Sequence, residues 1–385
     1  MSSSRPRILA ISNFYPPHHA GGYELGARDI LDELGRRGFH VEVLTSTRGV
    51  EVPQRADGVH RVLGLEYAMN HRGRARRVAY LVERELASRR AFDRVCREVR
   101  PDLVYAFNLR NVSISLLFRA EARGLPVVYF ASDDWLAHWE RDLWYRVRRG
   151  RALLSLSRVQ FVSEYLKRDA LRVGKAVAAA RVVPWGVVSS RYRLRPRGPN
   201  RGRLLFAGQL APHKGLHTAI EALAVIRRRL PHLGAQLSVA GRFLDPVYEA
   251  RIKRTISDLE LRDHVRFLGS LPREELARRF ADHDVFVFAS VWAEPFSIVL
   301  LEAMLCGLAT VATPTGGTPE IARDRENCLL FPADDANACA ERIILLHEQP
   351  GLADSLRESA QRIVRERHQL STMVDQLEPD LSTAV

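Results

Sequence analysis

The stretch from Asp284 to Glu320 (DVFVFASVWAEPFSIVLLEAMLCGLATVATPTGGTPE) constrains the fold more than any other part of the chain. Val285 to Ala289 is a short apolar run that reads as a buried strand. A loop follows at Ser290 to Pro295. An apolar helix then runs from about Phe296 to Cys306 and is closed by Gly307. A second buried strand, Ala309 to Ala312, leads through Gly316 and Gly317 to a helix start at Thr318 and Pro319. Strand, loop, helix, strand, Gly-rich loop, helix is a piece of a parallel α/β sheet. Such sheets bind ligands beyond the carboxyl ends of their strands. Here those ends carry Glu294 and the Gly316-Gly317 turn.

Two carboxylates, Glu294 and Glu302, flank this helix. A glycosidase-type pair needs its carboxyl groups ~5 Å apart for retention and up to ~9.5 Å for inversion. Eight residues of helix rise about 12 Å. The two carboxylates therefore have separate roles. Glu294 precedes the helix, where it can reach a ligand. Glu302 interrupts the apolar run Ile298 to Leu305, and a buried carboxylate needs a partner.

The same alternation of strands and helices extends over all 385 residues. That length suits two α/β domains. Strands are expected at Arg7–Ser12, His40–Leu44, Val59–Leu63, Leu103–Phe107, Val127–Ala131 and Val159–Val162. A long basic helix is expected over about Arg74–Arg100, and another helix near Arg141–Leu156. Residues 186–202, rich in Pro, Gly and Arg without a period, read as a linker. Strands resume at Leu204–Ala207, Gln236–Ala240, Val265–Leu268, Val285–Phe288, Ala309–Ala312 and Cys328–Phe331. The expected organisation is a domain over 1–185, the linker 186–202, a second domain over 203–367 and a tail or helix over 368–385. The fold class is α/β, with two Rossmann-like doubly wound parallel sheets facing across a cleft.

Charge and cysteine usage narrow the function classes. The net charge is +13, and residues 1–190 hold 32 Lys+Arg against 20 Asp+Glu. Much of the excess lies in Arg72–Arg100 and in Arg141–Arg151. Solvated helix faces are one reading. An anionic membrane surface or an acidic acceptor is the other. No aromatic-interleaved basic motif points to nucleic acid. Cys96, Cys306, Cys328 and Cys339 form no CxxC pair, which favours a reducing, cytoplasmic compartment over a disulfide framework. No run approaches the ~20 apolar residues of a membrane span.

Three further stretches carry possible chemistry. The first loop, NFYPPHHAGG, ends in Gly21 and Gly22 at a helix start, where an anion is favoured; a plain tight turn is the alternative, and the spacing is not GxGxxG. After Leu204–Ala207 comes GQLAPHKG. Lys214 there can act as a point charge on a phosphate. The Gly316-Gly317 turn can offer backbone N–H groups to the same anion. The triplet Asp282-His283-Asp284 has the DxD form of a metal site but lies at a helix end as boundary charge. No metal site is expected.

These motifs resemble those of the retaining GT-B-fold glycosyltransferase family 4. Glu294-Pro295-Phe296-Ser297 through Glu302-Ala303-Met304 is similar to its E-x7-E signature, GGTPE to its diphosphate loop, GQLAPHKG to its phosphate clamp and FYPPHHAGG to its N-terminal glycine loop. The resemblance spans nearly the whole chain in the right order. It implies that Glu294 sits against the donor sugar as the catalytic residue. It implies that backbone N–H groups of Phe296, Ser297 and Ile298 hold sugar or phosphate, and that Glu302 binds ribose. Lys214, Gln209, Gly316, Gly317, Gly21 and Gly22 would complete the donor site. Ser132, Asp133, Asp134 and Asn108 are expected on the acceptor or sugar side. The chain departs from the family at Gln209, where an Arg is usual, and at Ser132, where a His is usual.

The expected function is metal-independent transfer of a sugar, with retention, from a nucleotide-diphosphate sugar (UDP or GDP) to a glycan or lipid-linked acceptor. No other cofactor and no nucleic acid are expected, and the protein could sit peripherally at the inner face of a membrane. A nucleotide-sugar epimerase of the same fold and a non-catalytic sugar-nucleotide binder are the alternatives.

Overall fold

The computed structural model describes residues 5–18, 21–49, 54–64, 74–138, 158–173, 177, 179–195, 198 and 200–383. The helix expected near Arg141–Leu156, with its arginines, lies outside them. Two compact units result: Met1–Pro184 with Leu370–Val385, and Trp185–Gln369.

The first unit is built on eight strands: β1 (Arg7–Ile11), β2 (His40–Ser46), β3 (Gln54–Ala56), β4 (Val59–Leu63), β5 (Leu103–Ala106), β6 (Val127–Ala131), β7 (Val159–Phe161) and β8 (Ala180–Val182). Their order is β3-β4-β2-β1-β5-β6-β7-β8. All pair in parallel except β3 with β4. The chain winds one way from β1 to β2 and the other way from β5 to β6, so the order reverses between β1 and β5. That is where a crevice opens in a doubly wound sheet. Helices α1 (Gly22–Arg36), α2 (Arg74–Val99), α3 (Ser115–Ala122), α4 (Trp135–His138) and α5 (Glu164–Arg172) alternate with the strands. The basic α2 is only partly a solvated face. Arg90, Arg94 and Arg97 are exposed. Arg84 is buried and donates to the carbonyls of Gly64 and Asn111.

The second unit has β9 (Arg203–Ala207), β10 (Gln236–Ala240), β11 (Val265–Gly269), β12 (Val285–Phe288), β13 (Ala309–Ala312) and β14 (Leu329–Leu330), ordered β11-β10-β9-β12-β13-β14. Every pairing is parallel. Its helices are α6 (Leu216–Arg229), α7 (Pro246–Asp258), α8 (Arg273–Asp282), α9 (Ile298–Cys306), α10 (Ala336–Glu348) and α11 (Pro350–Arg367). Apolar runs rather than alternation mark these strands because both sheet faces are covered. Leu204, Phe206, Leu237, Val239, Val285, Val287 and Val311 share a core with α6, α7 and α10. Leu205, Ala207, Phe286, Phe288 and Ala312 share another with α8, α9 and α11. The order reverses between β9 and β12.

Several local expectations change. The helix expected at Thr318 is one 3-10 turn, Thr318–Glu320. The helix expected from Phe296 starts at Ile298, because Ser297 caps it by accepting from the Leu300 N–H at 3.3 Å. The short strands β3 and β8 lie at the sheet edges, where few contacts select for an apolar pattern. The last helix, α12 (Leu370–Ser382), joins the first unit. Arg37 bonds Asp375 at 2.6 Å and Glu378 at 3.2 Å, and Gln160 donates to Asp380 at 2.9 Å. All four cysteines are buried and unpaired, and burial pushes the Cys96 thiol up to about 11. No described helix is long and apolar enough to cross a membrane.

The segment read as a linker is held within the second unit, and the DxD triplet explains how. Asp284 is fully buried at the start of β12 rather than being a solvated boundary charge. It accepts from Arg195 at 2.6 Å, from Arg203 at 2.7 Å and from the amides of Arg201 and Arg203 at 3.0 and 3.1 Å. Burial opposes the charge, but the Arg203 and Arg195 hydrogen bonds and the two amides outweigh it and hold the carboxyl down at about 2. A carboxyl depressed in the folded state contributes stability above its unfolded value and loses it as pH falls toward the folded one. Asp284→Asn leaves Arg195 buried without its charge partner, so the variant should lose about 3 kcal/mol or more at neutral pH. Urea unfolding should show that gap closing as pH drops from about 4 toward 2. An unchanged midpoint at pH 7 would contradict the role of this clasp.

Candidate active site

The site in the second unit is assembled at the point where its strand order reverses. β9 ends in a loop and a 3-10 turn, Pro212–Lys214, before α6. Gly215 closes that turn with φ +73°, and a Cβ there would lie 1.8 Å from the Ala289 carbonyl oxygen. Only glycine lets the turn press against the end of β12. The carbonyl of His213 is then in reach of the β12 loop, accepting from the Val291 N–H at 3.0 Å, with the Ser290 hydroxyl oxygen 3.1 Å away.

This closeness brings Lys214 onto Glu294. The Lys214 ammonium bonds Glu294 Oε1, and the Ser290 hydroxyl donates to the same oxygen at 3.0 Å. Glu294 is buried, not a solvated loop charge. Its backbone is held as firmly. The Glu294 carbonyl accepts from the Gly317 N–H at 2.7 Å, and Gly316 has φ +60° with a Cβ position 2.2 Å from that same carbonyl oxygen. The Gly316-Gly317 turn thus lies directly on the Glu294 peptide. The His213 and Trp292 rings meet edge-on at 5.9 Å, and the Lys214 ammonium lies 5.7 Å from the Trp292 ring centre. Burial, then the Lys214 charge, lowers the His213 pKa, so its ring is neutral at pH 7.

Glu302 faces other partners. It is buried, and its Oε1 accepts from the Tyr192 hydroxyl at 2.5 Å and from Arg273 at 3.0 and 3.1 Å. The two carboxylates have separate surroundings, Glu294 in the loop before α9 and Glu302 within the helix, so the eight helical residues expected between them are not all helical. Phe296 is half-buried and packs on the His368 ring at 5.9 Å. Ile298 opens α9 and Ser297 is spent as its cap. Gln209 is half-buried in the loop after β9, and Arg242 on the neighbouring loop is exposed.

The first unit carries a second polar cluster, also at its strand-order reversal. Asn13 follows β1, Asn108 follows β5, and Ser132, Asp133 and Asp134 follow β6. The Asn13 amide N–H donates to the Asn108 carbonyl at 2.8 Å. The Tyr23 hydroxyl donates to Asn13 Oδ1. Asn108 Nδ2 donates to Asp133 Oδ2, and the Trp135 N–H donates to Asp133 Oδ1 at 3.0 Å. Arg110 pairs with Asp134 instead of Asp133. The Ser132 hydroxyl oxygen is buried without a hydrogen-bond partner. Gly21 and Gly22 form the N-terminus of α1, where the Gly21 N–H donates to Glu24 at 2.9 Å.

Sequence reasoning missed Ser290, Trp292, His213, Tyr192 and Arg273 in one unit and Asn13, Tyr23 and Arg110 in the other. One signal was available: Glu302 in an apolar helix demands a cation. Nothing in the sequence says which of many arginines answers. Among the described residues no group of three or more His, Cys, Asp or Glu is arranged to hold a metal ion.

Residues 195–363 match the family model described as glycosyl transferases group 1, and residues 21–186 match the glycosyl transferase 4-like domain. A similar curated protein is the GDP-mannose-dependent alpha-(1-6)-phosphatidylinositol monomannoside mannosyltransferase of Mycolicibacterium smegmatis. It is 31% identical over 47% of this chain and 50% of its own length. The putative glycosyltransferase YtcC of Bacillus subtilis is 29% identical over 58% of each chain. The chain thus spans about half the length of these relatives. Sucrose-phosphate synthase from Thermosynechococcus elongatus matches in structure with TM-score 0.76 and 21% identity over 99% of this chain and all of that one. HepE from Anabaena, in complex with UDP and glucose, matches with TM-score 0.74 and 22% identity over 98% and 100%. The fold is therefore GT-B.

Asp133 generates a prediction that needs no substrate. Burial, only partly offset by the Trp135 N–H, Arg110 and Asn108, raises its carboxyl to about 6. A carboxyl raised in the folded state favours the protonated form, so stability is greatest below the unfolded value and falls as pH rises to the folded one. Asp133→Asn keeps an oxygen for Asn108 and removes the titration. Its thermal midpoint should match the parent near pH 4 and exceed it increasingly up to about pH 6, then level off. A difference independent of pH would refute the assignment.

Proposed function

We propose that this chain, a GT-B protein carrying a glycosyl transferase 4-like domain and a glycosyl transferases group 1 domain, moves a sugar from a nucleotide-diphosphate sugar to an acceptor hydroxyl with retention of anomeric configuration. The observation that carries this reading is the Lys214–Glu294 pair at the β9/β12 reversal, with the Gly316-Gly317 turn against it. A diphosphate leaving group develops negative charge as the glycosidic bond breaks. A fixed ammonium and backbone N–H groups stabilise that charge without reorganising. Lys214 and the Gly316 N–H supply these groups, the Gly317 N–H being held by the Glu294 carbonyl, so the charge needs no metal ion. Glu294 faces the sugar beside its reacting carbon, and Glu302 accepts from the ribose hydroxyls. Phe296, Ser297, Ile298 and Gln209 complete the donor pocket.

Asp133, Asp134, Ser132 and Asn108 serve the acceptor or sugar side, with Gly21 and Gly22 toward the phosphate. The mycobacterial relative is GDP-mannose-dependent and HepE holds UDP, which supports a GDP- or UDP-sugar donor. The phosphatidylinositol mannoside named for that relative and the basic composition of the first unit support a glycolipid or lipid-linked acceptor at an anionic membrane surface.

A thermal-shift screen of UDP, GDP, ADP and dTDP and their sugars identifies the donor, because a ligand bound to the folded state raises its midpoint. With that donor, Glu294→Gln in a folded protein should lower kcat/KM at least ~100-fold, as expected for a group acting at the reacting centre. Lys214→Ala should weaken binding of the bare nucleoside diphosphate as well. NMR of the product reports the anomeric configuration. Normal turnover by Glu294→Gln, or no stabilisation by any nucleotide, would sink the proposal. The surface reading is tested separately: the chain should float with vesicles containing phosphatidylserine at low salt and be released at high salt. Failure to bind at low salt would reject it.

A further inference from the structure

Trp292 has no role in the donor site as described so far, yet it stands beside the Lys214–Glu294 pair. It is 38% exposed. A single exposed apolar side chain usually needs no explanation. This one differs in how it is held. Its backbone N–H donates to the His213 carbonyl at 3.3 Å, and its own carbonyl accepts from the Glu294 N–H at 2.8 Å. The residue is thus tied to both the turn that carries Lys214 and the peptide that carries Glu294. One ring edge meets the His213 ring at 5.9 Å and 80°. The Lys214 ammonium lies 5.7 Å from its centre.

An aromatic ring on a backbone anchored beside the Lys214–Glu294 pair is amphipathic in a specific way. The ring face is apolar and carries the negative side of the aromatic quadrupole. The Glu294 carboxylate beside it accepts hydrogen bonds. A pyranose has the matching surface: a C–H face with weakly positive hydrogens and a rim of hydroxyl donors. A phosphate has no such face, and a nucleoside diphosphate without its sugar has no reason to seek this wall.

We infer that Trp292 is the stacking wall for a neutral hexose-type sugar of the nucleotide donor, and so separates sugar nucleotide from bare nucleoside diphosphate. The inference rests on the donor-site reading given above and adds a residue to it. A neutral sugar fits best because a charged carboxyl on the sugar would lie against Glu294.

Isothermal titration of the full chain with UDP, UDP-glucose, GDP and GDP-mannose tests it, using parent, Trp292→Gln and Trp292→Phe. The parent should bind one sugar nucleotide more tightly than its diphosphate. Trp292→Gln should weaken that sugar nucleotide by about tenfold, the scale of one well-packed aromatic contact. Its affinity for the diphosphate should fall by clearly less than that, because the ring touches the phosphate site only through a loose contact with the Lys214 ammonium, 5.7 Å from its centre. Trp292→Phe, which keeps a ring face, should recover most of the loss. Circular dichroism confirms folding, and the exposed ring makes Trp292→Phe a safe second variant. Equal weakening of diphosphate and sugar nucleotide would assign the ring to the nucleotide and overturn the inference. So would unchanged binding in Trp292→Gln. If the parent binds none of the four, the reading of a UDP- or GDP-sugar donor fails with it; if the parent binds and Trp292→Gln matches it, only the wall is lost.

Discussion

Everything around the polar cluster of the second unit depends on how Glu294 is fixed. Its carboxylate is held by Lys214 and Ser290, and its carbonyl by Gly317. These three partners come from different loops, those after β9, β12 and β13. A buried carboxylate alone is costly, and a single surface ion pair would hold it weakly. Here the ion pair is largely shielded, and a neutral hydroxyl shares the load. The backbone contact matters as much, since the Gly316 position leaves no space for a Cβ beside the Glu294 carbonyl. The carboxylate's place is thus over-determined by charge, hydrogen bonding and close backbone approach. The role proposed for Glu294, at a reacting carbon, would need that kind of preorganisation.

The scaffold beneath the cluster is held by a different charge set. Asp284 opens β12 and gathers Arg195, Arg203 and two amides. This stitches the segment entering the second unit to the start of β9 and β12. The opposite ends of the same two strands lead to Lys214 and Glu294. The strands are short, five and four residues, so a shift at one end is felt at the other. Uniform apolar filling on both faces keeps them from sliding. The first unit repeats the principle with neutral groups: Asn13 and Asn108 bridge the ends of β1 and β5 where its order reverses.

Much of this was legible in the sequence because the physics involved is local. Apolar runs without alternation announce strands buried on both faces. Gly307 and Gly316 mark a helix end and a tight turn, and both have positive φ. Glu302 in an apolar helix announces a buried partner. What stayed hidden is long-range. Tyr192 and Glu302 are 110 residues apart, and Arg195 and Asp284 are 89 apart. In a chain with 58 Lys and Arg, composition cannot single out one partner. The α12 helix was visible as a tail or helix, but its docking on the first unit depends on Arg37 and Gln160, more than two hundred residues away. Edge strands β3 and β8 escaped because partly exposed strands lose the apolar signature.

The separation of Glu294 from Glu302 has a chemical consequence. Arg273 and Tyr192 both bond Glu302 Oε1, so that oxygen is committed to the protein. A carboxylate so arranged is a stationary acceptor, well suited to orienting hydroxyl groups. Glu294 differs because its counterion is Lys214, a compact ammonium with three rotatable donors. Under the proposed reaction, an arriving diphosphate competes for that ammonium, and Glu294 loses part of its compensation just as a sugar comes against it. In that reaction the Glu302 arrangement favours ground-state binding of the nucleotide, and the Glu294 arrangement ties the charge on the sugar side to the presence of the leaving group. The loop before α9 would then carry the interaction that strengthens as the bond breaks and the helix the uniform binding, and only the former raises kcat.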